Sequence, residues 1–435
     1  MRGIGAAYIL PKRHSWRYMS SIAIPLSHIG GRKATAHTVA LTALPPLSLY
    51  IHWPWCVRKC PYCDFNSHEF GAATQANTVD EATEARYVQA LLQDLESHLP
   101  QVWGRRFYTV FIGGGTPSLM RPVALDALLA GIRARIPLEA DAEITLEANP
   151  GTVEAGRFAD YAAVGVNRIS VGVQSFNPTL LAAIGRIHDG KQAHAAVEQA
   201  ARAVSRVNVD VMYGLPSQTL AQAAADISTA LELGAGHISA YHLTLEANTY
   251  FHRYPPPVPD DDACADMQAQ ADELLAQAGL AHYETSAYAK PQQRCQHNQN
   301  YWGFGDYIGI GAGAHGKISF PDRIVRTVKH KHPKAYLDAA SSNGFTGNFL
   351  QSEQAVSVKE LPFEFMLNAL RLQQGFPLAW FTERTGQPLA LVQATLNKLY
   401  SKGLLENVSQ AGEPWLRPTA LGARFQNDVL EAFLS

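Results

Sequence analysis

With 435 residues the chain is too long for one small core and predicts two or three domains. Apolar residues make up 47% and charged residues 17%, the balance of an ordinary globular protein rather than a disordered one. The formal net charge of −2 gives no global attraction to nucleic acid or an anionic membrane, and no apolar run approaches the roughly 20 residues of a membrane-spanning helix, so a soluble protein is expected.

Residues 1–47 carry Arg2, Lys12, Arg13, Arg17, Arg32 and Lys33, several serines, and no Asp or Glu. That is the composition of an organellar transit peptide; a bacterial leader, or a start codon assigned too early, gives the same pattern. The Ala- and Gln-rich body favours the bacterial reading and a cytoplasmic protein, with a mitochondrial location as the alternative. Residues 1–45 are expected to form a poorly ordered extension.

Regular alternation begins with "LSLYIHW", a short buried strand followed by "CVRKCPYC". A helix over 79–98, a strand at "FYTVFI" (107–112) and a helix over 118–136 come next. Then follow "AEITLEA" (142–148), a helix at 153–163, "RISVGVQ" (168–174), helices near 177–184 and 190–204, and "RVNVDVMYG" (206–214). A helix at 219–233 precedes "HISAYHLTLE" (237–246). A strand recurs about every 30 residues, the size of a βαβ unit, and six such strands predict a partial (β/α)6 barrel of the α/β class over 46–285. Beyond "RYPPPVPDDD" come a helix at 260–279, a strand at "AHYETSAYA", and a connecting region over 286–350 with "HNQNYW" and the glycine-rich "WGFGDYIGIGAGAHG". Three helices and a hairpin over 351–435 predict a mostly helical, winged-helix-like domain. Its mixed charge points to packing or a protein partner rather than DNA.

Five cysteines are present, and Cys56, Cys60 and Cys63 fall within eight positions as C-x3-C-x2-C. Clustered thiols in a chain of this size point to metal binding in a reducing compartment rather than to disulfides. Structural zinc takes four ligands, typically in two distant C-x2-C pairs, and no second pair exists. A [4Fe–4S] cluster held by three thiolates leaves one iron open to a further ligand, and the spacing, with Tyr62 before the last cysteine, fits that option. Cys264 lies on an expected helix and reads as packing; Cys295, near His297, reads as an ordinary cysteine. Glu147, Gln174, Asp210 and Tyr241 stand at or near the C-terminal ends of expected strands, the end that carries the site in barrels. One such residue is usually a solvated strand end; four in register with the cysteine loop are not.

The cysteine loop resembles that of the radical S-adenosylmethionine (SAM) family, whose open iron is chelated by the amino and carboxylate groups of SAM. With "YIHWPWC", "FIGGGTPSLM", "ITLEANP", "RISVGVQSFN", "VNVDVMYGLP" and "GIGAGAHG", the chain from 48 to roughly 320 resembles the oxygen-independent coproporphyrinogen oxidase group. The resemblance implies that Gly113, Gly114, Gly115 and Thr116, with Pro117, cradle the SAM amino group. It implies that Tyr50, Glu147, Gln174, Arg186 and Asp210 line the SAM pocket, Arg186 suiting a carboxylate. Tyr62, Tyr241 and His315 correspond to positions near the adenine or the cluster.

Decarboxylating members of that group resemble C-x3-C-x2-C-x-C, and this chain has Phe65 at the fourth position. "HNQNYW" resembles the signature of a sister branch of heme chaperones. The expectation is therefore a protein with a [4Fe–4S] cluster and SAM that binds heme and hands it to an acceptor protein. His297, Tyr301 and Trp302 are the candidate heme residues; a turn with a packed aromatic pair is the plainer reading of that motif. The alternative is an oxygen-independent coproporphyrinogen III oxidase. Nucleic acid is not an expected partner, and a membrane acceptor would be touched only peripherally.

Overall fold

A computed structural model describes residues 39–69, 79–151, 156–342 and 347–434. Six parallel strands pair in chain order: β1 (Leu47–Trp53), β2 (Phe107–Gly114), β3 (Leu138–Ala148), β4 (Arg168–Gln174), β5 (Arg206–Tyr213) and β6 (His237–His242). Their period-2 pattern explains the architecture. Leu49, Ile51, Val110, Ile112 and Leu146 face the covering helices in one core, while Tyr50, Glu147 and Asp210 alternate with them on the other face. Helix α1 (Glu81–His98) presents Tyr87, Leu91 and Leu95, four residues apart, to that core; Asp80 caps it by accepting from Thr83 N at 2.9 Å.

The expected strand at "AHYETSAYA" is two: β7 (Ala281–Glu284) and β8 (Ala287–Ala289) fold back antiparallel, β8 against β6. The region expected to be a connector supplies β9 (Asp306–Ile310), parallel to β1 on its free side, then β10 (His315–Ser319), β11 (Ile324–Lys329) and β12 (Leu350–Ala355), all antiparallel. The glycines permit this return, since a Cβ at Gly309 would strike the His315 backbone. Among the described residues the result is one twelve-stranded open sheet running from β12 to β7.

A second core lies in the C-terminal part, where Phe365, Phe376, Phe381, Leu396 and Leu416 pack together. Helices Leu361–Ala369, Ala379–Thr385 and Ala390–Ser401 are followed by a hairpin, Leu405–Gln410 with Glu413–Pro418, to which Phe376–Pro377 adds a third strand. This is the winged-helix-like arrangement. The extension expected over 1–45 needs correction at its end: Val39 and Leu41 are buried in this second core, and Leu41 N donates to Pro321 O at 3.0 Å. Two apolar side chains gain a hydrophobic partner that no local pattern reveals. Residues 1–38 lie outside the described residues. No described helix is long and apolar enough to cross a membrane.

Candidate functional site

The cysteine loop leaves the C-terminal end of β1 and is closed at its base by a short parallel ladder, Trp55–Cys56 with His68–Glu69. His68 N donates to Pro54 O at 2.7 Å, and Lys59 Nζ spans the loop to Phe65 O at 3.1 Å and Ser67 O at 3.3 Å. Cys56 is buried; Cys60 and Cys63 are half-buried. Burial pushes the Cys56 thiol up to about 11, with a hydrogen bond to Thr116 working against it, and raises Cys63 in the same way, opposed by Ser67. Thiols placed like this ionise when a metal pays the charge.

The surroundings fit an iron–sulfur cube. A Cβ at Gly115 would sit 2.5 Å from Trp55 O and 3.0 Å from Cys56 Sγ, so only glycine leaves the loop room. Arg186 Nη1 donates to Cys60 Sγ at 3.6 Å, and Arg186 Nε is buried with no hydrogen-bond partner among the described residues. No three His, Cys, Asp or Glu side chains converge on one ion among the described residues. A cube bound at its separate corners does not require them to. When bound, such a cluster supplies an open iron and an electron.

The other expected pocket residues gather around this mouth. Gly115 N donates to Trp53 O at 2.7 Å and Thr116 N to Trp55 O at 2.8 Å, tying the glycine turn to the cysteine loop. Gly114, at φ 119°, donates its N–H to Glu147 Oε2 at 3.0 Å. Burial, and then the nearby Asp210, push the Glu147 carboxyl up to about 7. Asp210 is raised by burial as well, although it accepts from Asn208 Nδ2 at 2.8 Å and Ser170 Oγ at 3.1 Å. Gln174 sits at φ 69°, a left-handed conformation at the strand end that turns its side chain back toward Gly172, whose added Cβ would meet Gln174 Nε2 at 3.1 Å. The Tyr50 hydroxyl bonds His52 Nδ1 at 2.9 Å, and burial pushes His52 down to about 4, leaving a neutral imidazole. Tyr241 is 40% exposed on the barrel's inner face. Tyr62 lies beside Cys60 and Arg186 with its ring 6.5 Å from Phe251. His315 is exposed at the start of β10, within electrostatic reach of His52.

His297, Tyr301 and Trp302 are not brought to this mouth. They lie on a helix, Gln296–Trp302, that closes the opposite end of the barrel. His297 Nδ1 bonds Thr109 Oγ1 at 2.8 Å, its backbone N donates to Glu143 Oε1 at 3.1 Å, and Asn300 Nδ2 donates to Ser48 Oγ at 2.9 Å. Thr109, Glu143 and Ser48 all stand toward the N-terminal ends of their strands. Burial pushes His297 down to about 4, with Phe111 tilted against it, ring centroids 5.0 Å apart. Tyr301 packs on Tyr307 at 5.1 Å; Trp302 packs on the second core, with the Arg371 guanidinium 4.7 Å over its ring. The motif joins the barrel to the C-terminal helices.

The sequence pattern of the radical SAM superfamily matches residues 50–230, and that of the HemN C-terminal domain matches residues 356–411. The solved structure of coproporphyrinogen III oxidase (HemN) from Escherichia coli superposes with a TM-score of 0.74 at 22% identity, covering 90% of this chain and 91% of that one. Heme chaperone HemW of Escherichia coli K12 is 48% identical over 397 residues, 91% of this chain and all of the relative. The chaperone of the same name from Haemophilus influenzae is 45% identical over 90% of this chain and 99% of its own, and that of Bacillus subtilis 34% over 89% and 99%. The chain belongs to the HemW family.

In this HemW family member the barrel is the radical SAM fold, with the glycine turn bonded to Glu147 and Arg186 bonded to Cys60. Asn149, which the sequence reading passed over, couples the turn to Arg186. Its Nδ2 donates to Thr116 Oγ1 at 2.9 Å, and its Oδ1 accepts from Arg186 Nη2 at 2.7 Å. Its place directly after β3 in "ITLEANP", two residues beyond Glu147, was the available signal. Phe65 is 59% exposed beside the cysteine loop and presents an apolar ring to solvent.

Proposed function

We propose that the chain is a cytoplasmic heme chaperone that binds heme and delivers it to an acceptor protein, carrying a [4Fe–4S] cluster on Cys56, Cys60 and Cys63. SAM occupies the open iron, with its carboxylate on Arg186, its amino group at Gly113–Thr116, and its ribose toward Glu147 and Asp210. Tyr50, Gln174, Tyr62, Tyr241 and His315 line the remainder. The chain's own contribution is positional: the glycine turn admits the ligand closely, Asn149 and Gly172 hold the guanidinium, and Tyr50–His52 presents a neutral, hydrogen-bonded wall. The observation that carries this reading is the 48% identity over the full length of a relative named a heme chaperone. Phe65, in place of a fourth cysteine, supports it against the oxidase.

Anaerobic reconstitution, followed by optical heme titration and a coproporphyrinogen III assay with SAM and reductant on the same sample, tests it. Stoichiometric heme binding without porphyrinogen product is expected. Protoporphyrinogen formed over many turnovers defeats the chaperone reading. Phe65→Cys alone does not create the oxidase, because substrate placement rests on many residues.

A further inference from the structure

We infer that the barrel lumen, one layer deeper than Glu147, holds a further organic ligand: a small monocarboxylate, its carboxylate on Arg168 and Thr145 and its carbon body against Phe111 and Tyr50. Neither heme nor the cluster takes part in this site, so it goes beyond the chaperone reading and does not depend on it.

Strand register sets these four side chains in one row. Tyr50 stands opposite Phe111, Phe111 opposite Thr145, and Thr145 opposite Arg168, on four adjacent parallel strands. The alternate residues Ile51, Ile112, Leu146 and Ile169 pack into the core under the helices, which turns the row toward the lumen. His52, Gly113, Glu147 and Ser170 form the next row, two residues or about 7 Å nearer the mouth. The lumen between them is open: Tyr241 is 40% exposed, and Tyr50, Phe111, Glu147 and Asp210 are half-buried rather than buried.

Arg168 sets the chemistry. It is 2% exposed, yet its guanidinium makes no hydrogen bond and no ion pair among the described residues. Glu143, within electrostatic reach, is already engaged. Its Oε2 accepts from Arg206 Nη2 at 2.7 Å and Gln296 N at 3.1 Å, and its Oε1 from His297 N at 3.1 Å and Cys295 Sγ at 3.5 Å. Asp210 is held by Asn208 and Ser170, and Glu147 by Gly114 N. A buried guanidinium without acceptors is costly, and its donors form a planar fork suited to a carboxylate. Beside it, Thr145 Oγ1 is buried with no hydrogen-bond partner among the described residues. One carboxylate accepts from both groups.

Charge limits the guest to a monoanion. Arg206 and Glu143 cancel each other, leaving one cation, while Glu147 and Asp210 nearer the mouth oppose a second negative charge. A phosphate dianion does not suit that balance. The other half of the row is aromatic, with the Tyr50 and Phe111 rings stacked at 6.3 Å, and the Tyr50 hydroxyl is turned to His52. A bare inorganic anion leaves that face uncovered; a carboxylate with a carbon body covers it.

The full chain with its cluster reconstituted is titrated calorimetrically with sodium benzoate in chloride-free buffer, with benzamide as the neutral isostere. The wild type should bind one benzoate and bind benzamide at least tenfold more weakly. Arg168→Met should weaken benzoate binding at least tenfold and Thr145→Val about three- to tenfold, the ranges for charge-assisted and neutral hydrogen bonds. Without ligand, Arg168→Met should melt no lower than the wild type, because it removes a buried charge that has no partner. A structural arginine would give the opposite shift. Wild-type benzoate affinity in Arg168→Met overturns the site, as does equal affinity for benzamide, displacement of benzoate by equimolar chloride, or no benzoate binding at all. If Arg168→Met fails to fold or melts lower, Thr145→Val decides, and unchanged affinity there overturns the proposal.

Discussion

Arg186 reaches across the barrel mouth to Cys60, its Nη1 donating to the sulfur at 3.6 Å while Gly172 O holds its Nη2 at 2.6 Å. The guanidinium is thus fixed from two sides before any ligand arrives, and its Nε has no partner among the described residues. A planar cation held this way suits a carboxylate. Arg186→Gln should therefore weaken SAM binding about ten- to a hundredfold, the range for a charge-assisted hydrogen bond, and leave iron content unchanged. Equilibrium SAM binding under anaerobic conditions, alongside iron analysis, checks both halves. Undiminished SAM affinity would remove Arg186 from the site.

The three loop cysteines have no substitutes nearby. Cys295 Sγ donates to Glu143 Oε1 at 3.5 Å toward the far end of the barrel, and Cys264 lies 3.3 Å from His242 Nε2. Alanine at Cys56, Cys60 or Cys63 should abolish the brown chromophore, and alanine at Cys264 or Cys295 should keep it. Full iron and sulfide content in Cys60→Ala would refute the cluster assignment.

Glu147 gives the SAM pocket a pH dependence. With burial and Asp210 holding its carboxyl at about 7 rather than the ordinary 4.5, it is only partly ionised at neutral pH. A carboxylate accepts from hydroxyl or ammonium donors better than a carboxylic acid, so SAM affinity should rise between pH 6 and 8 and flatten in Glu147→Gln. For stability the sign is opposite. The native chain keeps a proton that the unfolded chain releases, so this group favours folding most below about 4.5 and loses that contribution as pH rises through about 7. Isothermal titration at several pH values distinguishes the wild type from the variant, and a slope surviving in Glu147→Gln would assign it to another group.

The strand-end residues were legible because parallel strands flanked by helices leave a two-residue period and a common direction. Once the strands were placed, Glu147, Gln174, Asp210 and Tyr241 had to share one end. What was not legible depended on distant pairing. β9 joins β1 across more than 250 residues of sequence, and nothing local in "DYIGI" marks a parallel partner. Asn149 and Asn66 act through side-chain bonds to loops 37 and 246 or more residues away. "HNQNYW" showed aromatic and polar residues in a turn-like context. Its helix and its place at the opposite mouth come from Glu143 and Thr109, which the motif does not contain.

Val39 and Leu41 tie the first described residues into the fold. Both are buried against the C-terminal core, and Ala40 N donates to Gly386 O at 3.4 Å. Burying each apolar side chain is worth roughly 1.5–3 kcal/mol. A chain beginning at Val39 should keep its thermal midpoint, and one beginning at Pro46 should melt several degrees lower with cluster and heme binding retained. Equal midpoints, measured by differential scanning fluorimetry on iron-loaded protein, would show that these contacts carry no weight.

The last expectation separates architecture from ligand binding at His297. Its ring fills the barrel between Phe111 and Tyr50, with centroids at 5.0 and 6.5 Å, and bonds Thr109 in the interior. Removing it leaves a cavity and an unsatisfied hydroxyl, a loss of about 2–4 kcal/mol. The same helix carries Tyr301 and Trp302 into the contact with the C-terminal helices, so the loss should loosen both parts together. His297→Ala should lower the thermal midpoint and increase proteolysis at the barrel–C-terminal junction, while the heme spectrum of the surviving folded protein matches the wild type. The opposite result, an unchanged midpoint with loss of the Soret band, would return the HNxxYW motif to the heme site.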